Sequence, residues 1–204
     1  MYYDKKLQRE FYLSDTLKIA KNLLGKILVH ESINEIYSGY IVEVEAYKGP
    51  TDKACHSFNY RHTKRTETMY KIGGTAYVYL IYGMYYCFNV VTCSINVPEA
   101  VLIRAIEPLD GINTMTKRRG LKTLNEKDIF KLSSGPGKMT QAMGINKIHN
   151  GLDLCSNEIY ICESLKKEKL DIVEAKRINV DYADEDKNNL WRFYIKDNPF
   201  VSKP

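Results

Sequence analysis

Metal-binding spacing is what this sequence lacks first. Its five cysteines, Cys55, Cys87, Cys93, Cys155 and Cys162, form no Cys-x-x-Cys pair, and its four histidines, His30, His56, His62 and His149, show no His-x-x-x-His spacing. A zinc site and a thiol-redox motif are therefore not expected, and the thiols should be reduced and largely buried. There is one tryptophan, no internal repeat and no low-complexity linker. No apolar run reaches the ~20 residues of a membrane helix. The nearest, Ala76 to Val91, contains Gly83 and Asn89 and is full of tyrosine, so it reads as a strand pair. The opening Met-Tyr-Tyr-Asp-Lys-Lys leads into no long apolar stretch, so no signal peptide is read there. The expectation is a cytoplasmic protein with no membrane association.

What remains is an ordinary globular composition. With 204 residues, 44% of them hydrophobic, the chain (residues 1–204) should form one domain with an ample core. A net charge of +5 leans toward a polyanionic partner, but only weakly. Tyrosine is the exception. Tyr77, Tyr79, Tyr82, Tyr85 and Tyr86 crowd into ten residues. A core strand would use Val, Ile and Leu there, because a buried hydroxyl needs a partner. Aromatic rings in a basic protein suit nucleobases, whose flat π-faces stack on them.

Ser14 to Leu24 reads as an amphipathic helix, with Ser14 as N-cap, a stripe of Leu17, Ala20, Leu23 and Leu24, and Gly25 as the stop. Lys26 to Glu31 and Tyr37 to Tyr47 alternate like strands of a half-exposed sheet. Residues 51–74 are polar and loop-like. Strands follow at 77–80 and 86–92, with Gly83 reversing the chain between them, and at 100–107, closed by Pro108. Helices are expected at 111–119 and 136–143, and a last strand at 191–195. The lysines at 166, 167 and 169 read as a solvated loop. Strands precede helices without a βαβ rhythm, which predicts an α+β fold: an antiparallel or mixed curved sheet surrounded by helices, with a protruding hairpin.

Several residues could carry chemistry. In Val-Glu-Val-Glu-Ala-Tyr, Glu43, Glu45 and Tyr47 share one strand face. Two such carboxylates usually mark a solvated face, but Glu45 could instead set a general base beside an aromatic platform. Arg104, inside an apolar strand, is either an edge residue or a buried one that needs Glu43 or Glu45 as partner. His56 lies in a polar loop. Tyr77 and Tyr79 share a face. Tyr82, at a turn tip, is a candidate wedge for a base stack. Phe88, Trp191 and Phe193 read as core. Met84 reads as core by composition and as part of the wedge by its place beside Tyr82. Cys55 beside His56 looks like a protease pair, but adjacent residues rarely point at each other. Ser134-Gly-Pro-Gly-Lys138 is either a plain turn or a phosphate site at a helix start, without P-loop spacing.

Taken in order, Glu-Ala-Tyr-x-Gly-Pro, His56-Ser57, Tyr-Val-Tyr-x-x-Tyr-Gly-Met-Tyr-x-Cys-x-Asn, Arg-Ala-x-Glu-Pro-Leu-x-Gly and Ser-Gly-Pro-x-Lys closely resemble the 3-methyladenine (alkyladenine) DNA glycosylase family, of the mixed α/β rather than the helix-hairpin-helix type. The resemblance runs from about Phe11 to Ser202. Gly73-Gly74 stands where many relatives have Pro-Gly, and Asn179 where Gly is frequent; both positions are expected to lie outside the pocket.

The resemblance implies roles. Glu45 would activate the water that attacks the sugar, and Arg104 would help hold both. Tyr47 and Tyr79 would wall the flipped base, His56 would read its edge, and Asn89 would crowd the 2-amino group of guanine. Tyr82, with Met84, would enter the minor groove, and Arg119 and Lys138 would contact the DNA backbone. For Lys117 and Arg118 a solvated helix end is at least as good a reading. The implied activity is a monofunctional glycosylase in base excision repair that acts on double-stranded DNA carrying damaged purines. It would use no cofactor, no metal and no obligate protein partner, and would work as a monomer at the bacterial nucleoid. Two other readings stay open from the residues alone: a non-enzymatic nucleic-acid-binding module and an apolar small-molecule binder.

Overall fold

A computed structural model describes residues 5–33, 35–121, 128–164 and 169–203. Lys166, Lys167 and the opening Met-Tyr-Tyr-Asp lie outside them. The fold is α+β. Its strands are β1 (Ile27–Glu31), β2 (Ile36–Tyr47), β3 (Ala76–Ile81), β4 (Tyr85–Thr92), β5 (Glu99–Asp110), β6 (Ile159–Cys162), β7 (Ile172–Ala175) and β8 (Arg192–Ile195). They make one sheet in the order β3-β4-β5-β2-β1-β6, with β8 pairing both β2 and β7. Every pairing is antiparallel.

Register explains how the site assembles. Tyr77 pairs with Asn89, Asn89 with Leu102, Leu102 with Glu45, and Glu45 with Arg192. Paired residues point to the same side of a sheet, so this row crosses five strands on one face. Two residues along, Val91 pairs with Ala100 and Ala100 with Tyr47. On the other side of the row, Tyr79 pairs with Cys87. The opposite face carries Val44, Ala46, Val78, Phe88, Val90, Val101 and Ile103. These join Ile19, Leu23, Met139, Ala142 and Met143 in the main core, beneath helices α1 (Thr16–Leu23) and α3 (Pro136–Met143).

The expectation of a half-exposed sheet is corrected here. In β2 only Ile36 and Tyr47 are not fully buried. Its second face is covered by loop residues 48–70 and by the C-terminal segment, whose Ile178 and Ser202 amides donate to Glu45 and Glu43. The solvated-face reading of the two glutamates fails for the same reason: both are 0% exposed.

Local details also differ from expectation. Asp15, not Ser14, caps α1, its carboxylate accepting from the Lys18 amide at 3.0 Å. β5 runs through Pro108, which pairs with Gly39 beside a register shift, where a missing N–H is tolerated. Trp191 precedes β8, though its carbonyl still accepts from the Ala46 amide. Helix α2 (Ile112–Arg118) and α3 fall where expected. Phe88 and Phe193 are buried, whereas Met84 is 67% exposed, so its core reading is overturned. Among the described residues no helix is long and apolar enough to cross a membrane.

The β3–β4 hairpin reverses through Tyr82 and Gly83, both at positive φ (53° and 69°), with the Met84 amide donating to the Ile81 carbonyl. That is a type I′ geometry, matched to the twist of the strands. Gly83 suits it; a tyrosine at the first position does not.

Candidate active site

Glu45 reaches the site from β2, and three donors converge on it. The Tyr47 hydroxyl donates to Oε2 at 2.9 Å, the Ile178 amide to Oε1 at 2.8 Å, and the Arg104 guanidinium lies 3.2 Å from Oε1. A carboxylate offers about four acceptor sites, so one remains for a further donor such as a water.

Arg104 is buried as well. Its Nε donates to Glu43 Oε1 at 2.9 Å and its Nη2 to Ser202 Oγ. Burial would lower its pKa, but Glu45 and Glu43 together raise it above the ordinary value, so it stays cationic. The two sequence readings of Arg104 resolve to the buried one, with both glutamates as partners. Glu43 also accepts from Arg192 Nη1 at 3.0 Å and from the Ser202 amide. The β2–β5 ladder pairs Ile41 with Ile106, Glu43 with Ala105 and Val44 with Ile103, skipping Val42 and Arg104. Such irregularities often re-aim a side chain, and here Arg104 meets both carboxylates.

Tyr47 forms one wall of a cavity shared with Ala54, Cys55, His56, Tyr77, Tyr79, Asn89 and Tyr182. Its phenol pKa is pushed far up, by burial first and then by the charge of Glu45. His56 packs edge-on to Tyr79, ring centroids 4.7 Å apart, and its Nδ1 lies 3.0 Å from the Tyr77 hydroxyl. Burial, then the charges of Arg65 and Arg61, lower the His56 pKa to about 4. The ring is neutral at physiological pH. Asn89 is buried, its Nδ2 donating to the Tyr77 carbonyl at 3.0 Å. The cavity measures about 40 Å³, little more than one water occupies in the liquid.

The remaining expected residues are placed as follows. Tyr82 is 71% exposed at the hairpin tip with Met84. Lys138 is exposed on α3, next to Gly137, whose backbone packs on the Tyr85 ring at the hairpin base. Arg119 turns inward: Nε donates to the Leu132 carbonyl at 3.1 Å and Nη1 to Gln141 Oε1. Arg118 stacks on Tyr37, its Cζ 4.1 Å from the ring centroid. Cys55 Sγ sits 3.1 Å from Ser57 Oγ rather than against His56, and burial raises its pKa.

Residues outside the expected set matter too. Arg65 lies over the Tyr79 ring at 4.8 Å, and Arg177 lies over Tyr47 at 4.9 Å. Arg65 belongs to the polar 51–74 loop, a kind of segment that often carries sites, whereas Arg177 sits in no strand pattern and beside no motif. Asn179, at φ 59°, forms the turn that presents the Ile178 amide to Glu45. The position is exposed, yet its left-handed backbone bears directly on the site, which explains why glycine suits it. Gly73 packs so closely that a Cβ would lie 2.5 Å from the Tyr12 carbonyl oxygen.

Among the described residues, His30, His149 and Glu158 bring three possible metal donors within 4.8 Å of one another, a cluster that linear spacing does not reveal. Its hydrogen bonds account for both rings. His30 Nδ1 donates to the Met143 carbonyl at 2.7 Å. His149 Nδ1 lies 3.0 Å from the Asn146 amide nitrogen and 3.3 Å from the Asn146 carbonyl oxygen, and its Nε2 lies 3.4 Å from Glu158.

The sequence signature of the family described as methylpurine-DNA glycosylase (MPG) matches residues 10–199. A protein of Clostridium novyi (strain NT), named as a candidate 3-methyladenine DNA glycosylase, is 52% identical over 98% of this chain and 99% of its own length. One of Alkaliphilus oremlandii (strain OhILAs) with the same name is 53% identical over 97% and 99%, and one of Clostridium acetobutylicum is 52% identical over 97% of each. At this identity over nearly the whole length, with motifs that the fold gathers on one sheet face, the chain belongs to the methylpurine-DNA glycosylase family and is a DNA glycosylase.

Proposed function

We propose that the chain is a monofunctional DNA glycosylase of base excision repair that rotates an alkylated purine, 3-methyladenine or 7-methylguanine, out of duplex DNA and hydrolyses its glycosidic bond. The observation that carries this reading is Glu45, held by Tyr47, Ile178 and Arg104, with Tyr47 itself a wall of the aromatic cavity.

The chemistry follows from that arrangement. A base inside the helix is out of reach, and extruding it costs a few kcal/mol, less when it is damaged. Stacking on aromatic rings returns about 1–3 kcal/mol per base. Methylation at N3 or N7 makes the purine cationic, and tyrosine faces attract a desolvated cation by about 2 kcal/mol or more. A neutral His56 adds no repelling charge beside the base. Water bound at the free acceptor site of Glu45 attacks C1′ and gives Glu45 its proton. The C1′–N bond breaks, its electron pair neutralises the departing cationic purine, and an abasic site remains. The carboxylate also stabilises positive charge that develops on the sugar. Asn89, fixed by Tyr77, occupies volume where a guanine 2-amino group would sit. Tyr82 fills the vacated stack, with Met84 beside it, and Lys138 supplies positive charge near the hairpin base. Arg119 could meet a phosphate only with donors not committed to Leu132 and Gln141.

The test is release of free base from methylated duplex DNA, with strand breaks appearing only after hot alkali. Glu45→Gln should still bind lesion DNA and release no base. A wild-type protein that yields neither free base nor alkali-labile sites overturns the reading.

A further inference from the structure

Arg177 does not line the cavity, yet it touches Tyr47, one of its walls, and the chain on either side of that wall. Its side chain and that of Asp52 are both 0% exposed, and they form a two-pronged ion pair, Nη1 to Oδ2 at 2.5 Å and Nη2 to Oδ1 at 2.8 Å. Nη1 also donates to the Ala46 carbonyl at 3.1 Å, and Nη2 to the Asp186 carbonyl at 3.3 Å. The guanidinium is stacked between Tyr47 and Trp191, 4.9 and 5.0 Å from their ring centroids. Tyr47 lines the cavity and Arg177 does not, so the cation lies on the ring face turned away from it.

Each contact leads to a site group. The Ala46 carbonyl lies between Glu45 and Tyr47 in the chain. The residue after Arg177, Ile178, donates its amide to Glu45. Asp52 accepts from the amides of Lys48 and Ala54, at 3.1 and 3.0 Å, and so shapes the loop that delivers His56. The Tyr182 hydroxyl donates to the carbonyl of that same Ala54. Two buried, charge-assisted hydrogen bonds of fixed geometry therefore join two chain segments that are far apart in sequence. A surface ion pair would not need this set of contacts, and a merely space-filling residue would not need the charge.

We infer that Arg177, locked by Asp52, is a positioning residue for base excision: it fixes the Tyr47 platform, the Glu45 carboxylate and the His56 loop relative to one another. The inference rests on the function proposed above. Displacement by an ångström or less at a reacting group is enough to lower a rate by orders of magnitude.

The experiment is single-turnover excision of 7-methylguanine from methylated duplex DNA at saturating protein, comparing wild type with Arg177→Lys, Arg177→Met and Asp52→Asn. Under saturation the rate constant belongs to the folded protein–DNA complex, so partial unfolding leaves it unmoved while folded protein stays in excess over DNA. Circular dichroism at the assay temperature gives the folded fraction. We expect rate constants at least about tenfold lower for Arg177→Met and Asp52→Asn, with Arg177→Lys recovering part of the loss because it keeps one charged hydrogen bond to Asp52. Rate constants within twofold of wild type in the variants that fold overturn the inference. Should only Arg177→Lys fold, a drop of threefold or more supports it and a smaller one overturns it. Wild-type protein without activity would instead sink the proposed function.

Discussion

The phenol of Tyr47 donates a 2.9 Å hydrogen bond to the Glu45 carboxylate two residues back on the same strand. One side chain thus serves as aromatic wall and as orienting donor, and the two jobs separate by mutation. Tyr47→Phe keeps the ring and removes the donor. A hydrogen bond to a charged group contributes about 1.5–3 kcal/mol, so single-turnover excision should fall about 10–100-fold, while lesion-DNA affinity changes by less than about threefold. Tyr47→Ala should lose affinity as well. Fluorescence-anisotropy titration alongside base release distinguishes the two outcomes.

Glu43 and Glu45 are both buried on Arg104, but their loads differ. Glu43 holds Arg104 and Arg192 together with the Ser202 amide. Removing one member of a buried ion network leaves the others uncompensated, at about 3–5 kcal/mol. Glu43→Ala should therefore lower the urea-unfolding free energy by that order, whereas Glu45→Gln, which leaves Arg104 paired to Glu43, should lose turnover with a much smaller change in stability. Equal destabilisation by both would mean that the division of labour is wrong.

That division was only partly legible in the sequence. Period-two spacing put Glu43, Glu45 and Tyr47 on one face, and Tyr77 with Tyr79 on another, and the sheet aligned those faces through Asn89 and Leu102 as ordinary ladder register. What spacing could not show was coverage. Whether a glutamate on a strand meets water or an arginine depends on Ile178, Arg192 and Ser202, which arrive from more than a hundred residues away. Arg177 and Asp52 were invisible for the same reason: neither follows a helical or strand period, and only the folded loops bring them together. Arg119 drew its expected role from the family resemblance; in the fold it is half-buried, with Nε on the Leu132 carbonyl and Nη1 on Gln141, contacts that its basic run does not reveal.

His56 should leave a signature in stability. Its pKa falls from 6.5 to about 4 on folding, so below pH 6.5 the unfolded chain binds the proton that the native ring refuses. Stability is complete above pH 6.5 and is lost as pH drops from there through 4. His30 and His149 are shifted downward too, chiefly by burial, and act in the same sense. The loss due to His56 is at most about 3 kcal/mol, and less because the ring is partly exposed. Urea titrations between pH 4 and 7 should show the slope, and His56→Gln should make it shallower without abolishing it. An unchanged slope in that variant would exclude His56 as a contributor.

Tyr82 holds a left-handed backbone at an exposed tip: φ is 53°, the residue is 71% exposed, and a Cβ on the neighbouring Gly83 would meet no atom within 4 Å. Left-handed geometry costs a non-glycine residue about 1–2 kcal/mol, and asparagine suits the first position of a type I′ turn far better. Strain kept where packing does not impose it points to a task for the side chain. Tyr82→Asn should leave the melting temperature equal or raised, with a gain of up to about 1 kcal/mol, because the turn relaxes and no core contact is lost. The same change should slow excision from duplex DNA, where a wedge must hold the gap open, more than excision from a single strand, which has no stack to refill. A variant that gains stability and keeps full duplex activity would show that the tyrosine is there for some reason other than insertion. A variant that loses stability would show that the turn tolerates its strain through contacts at the tip.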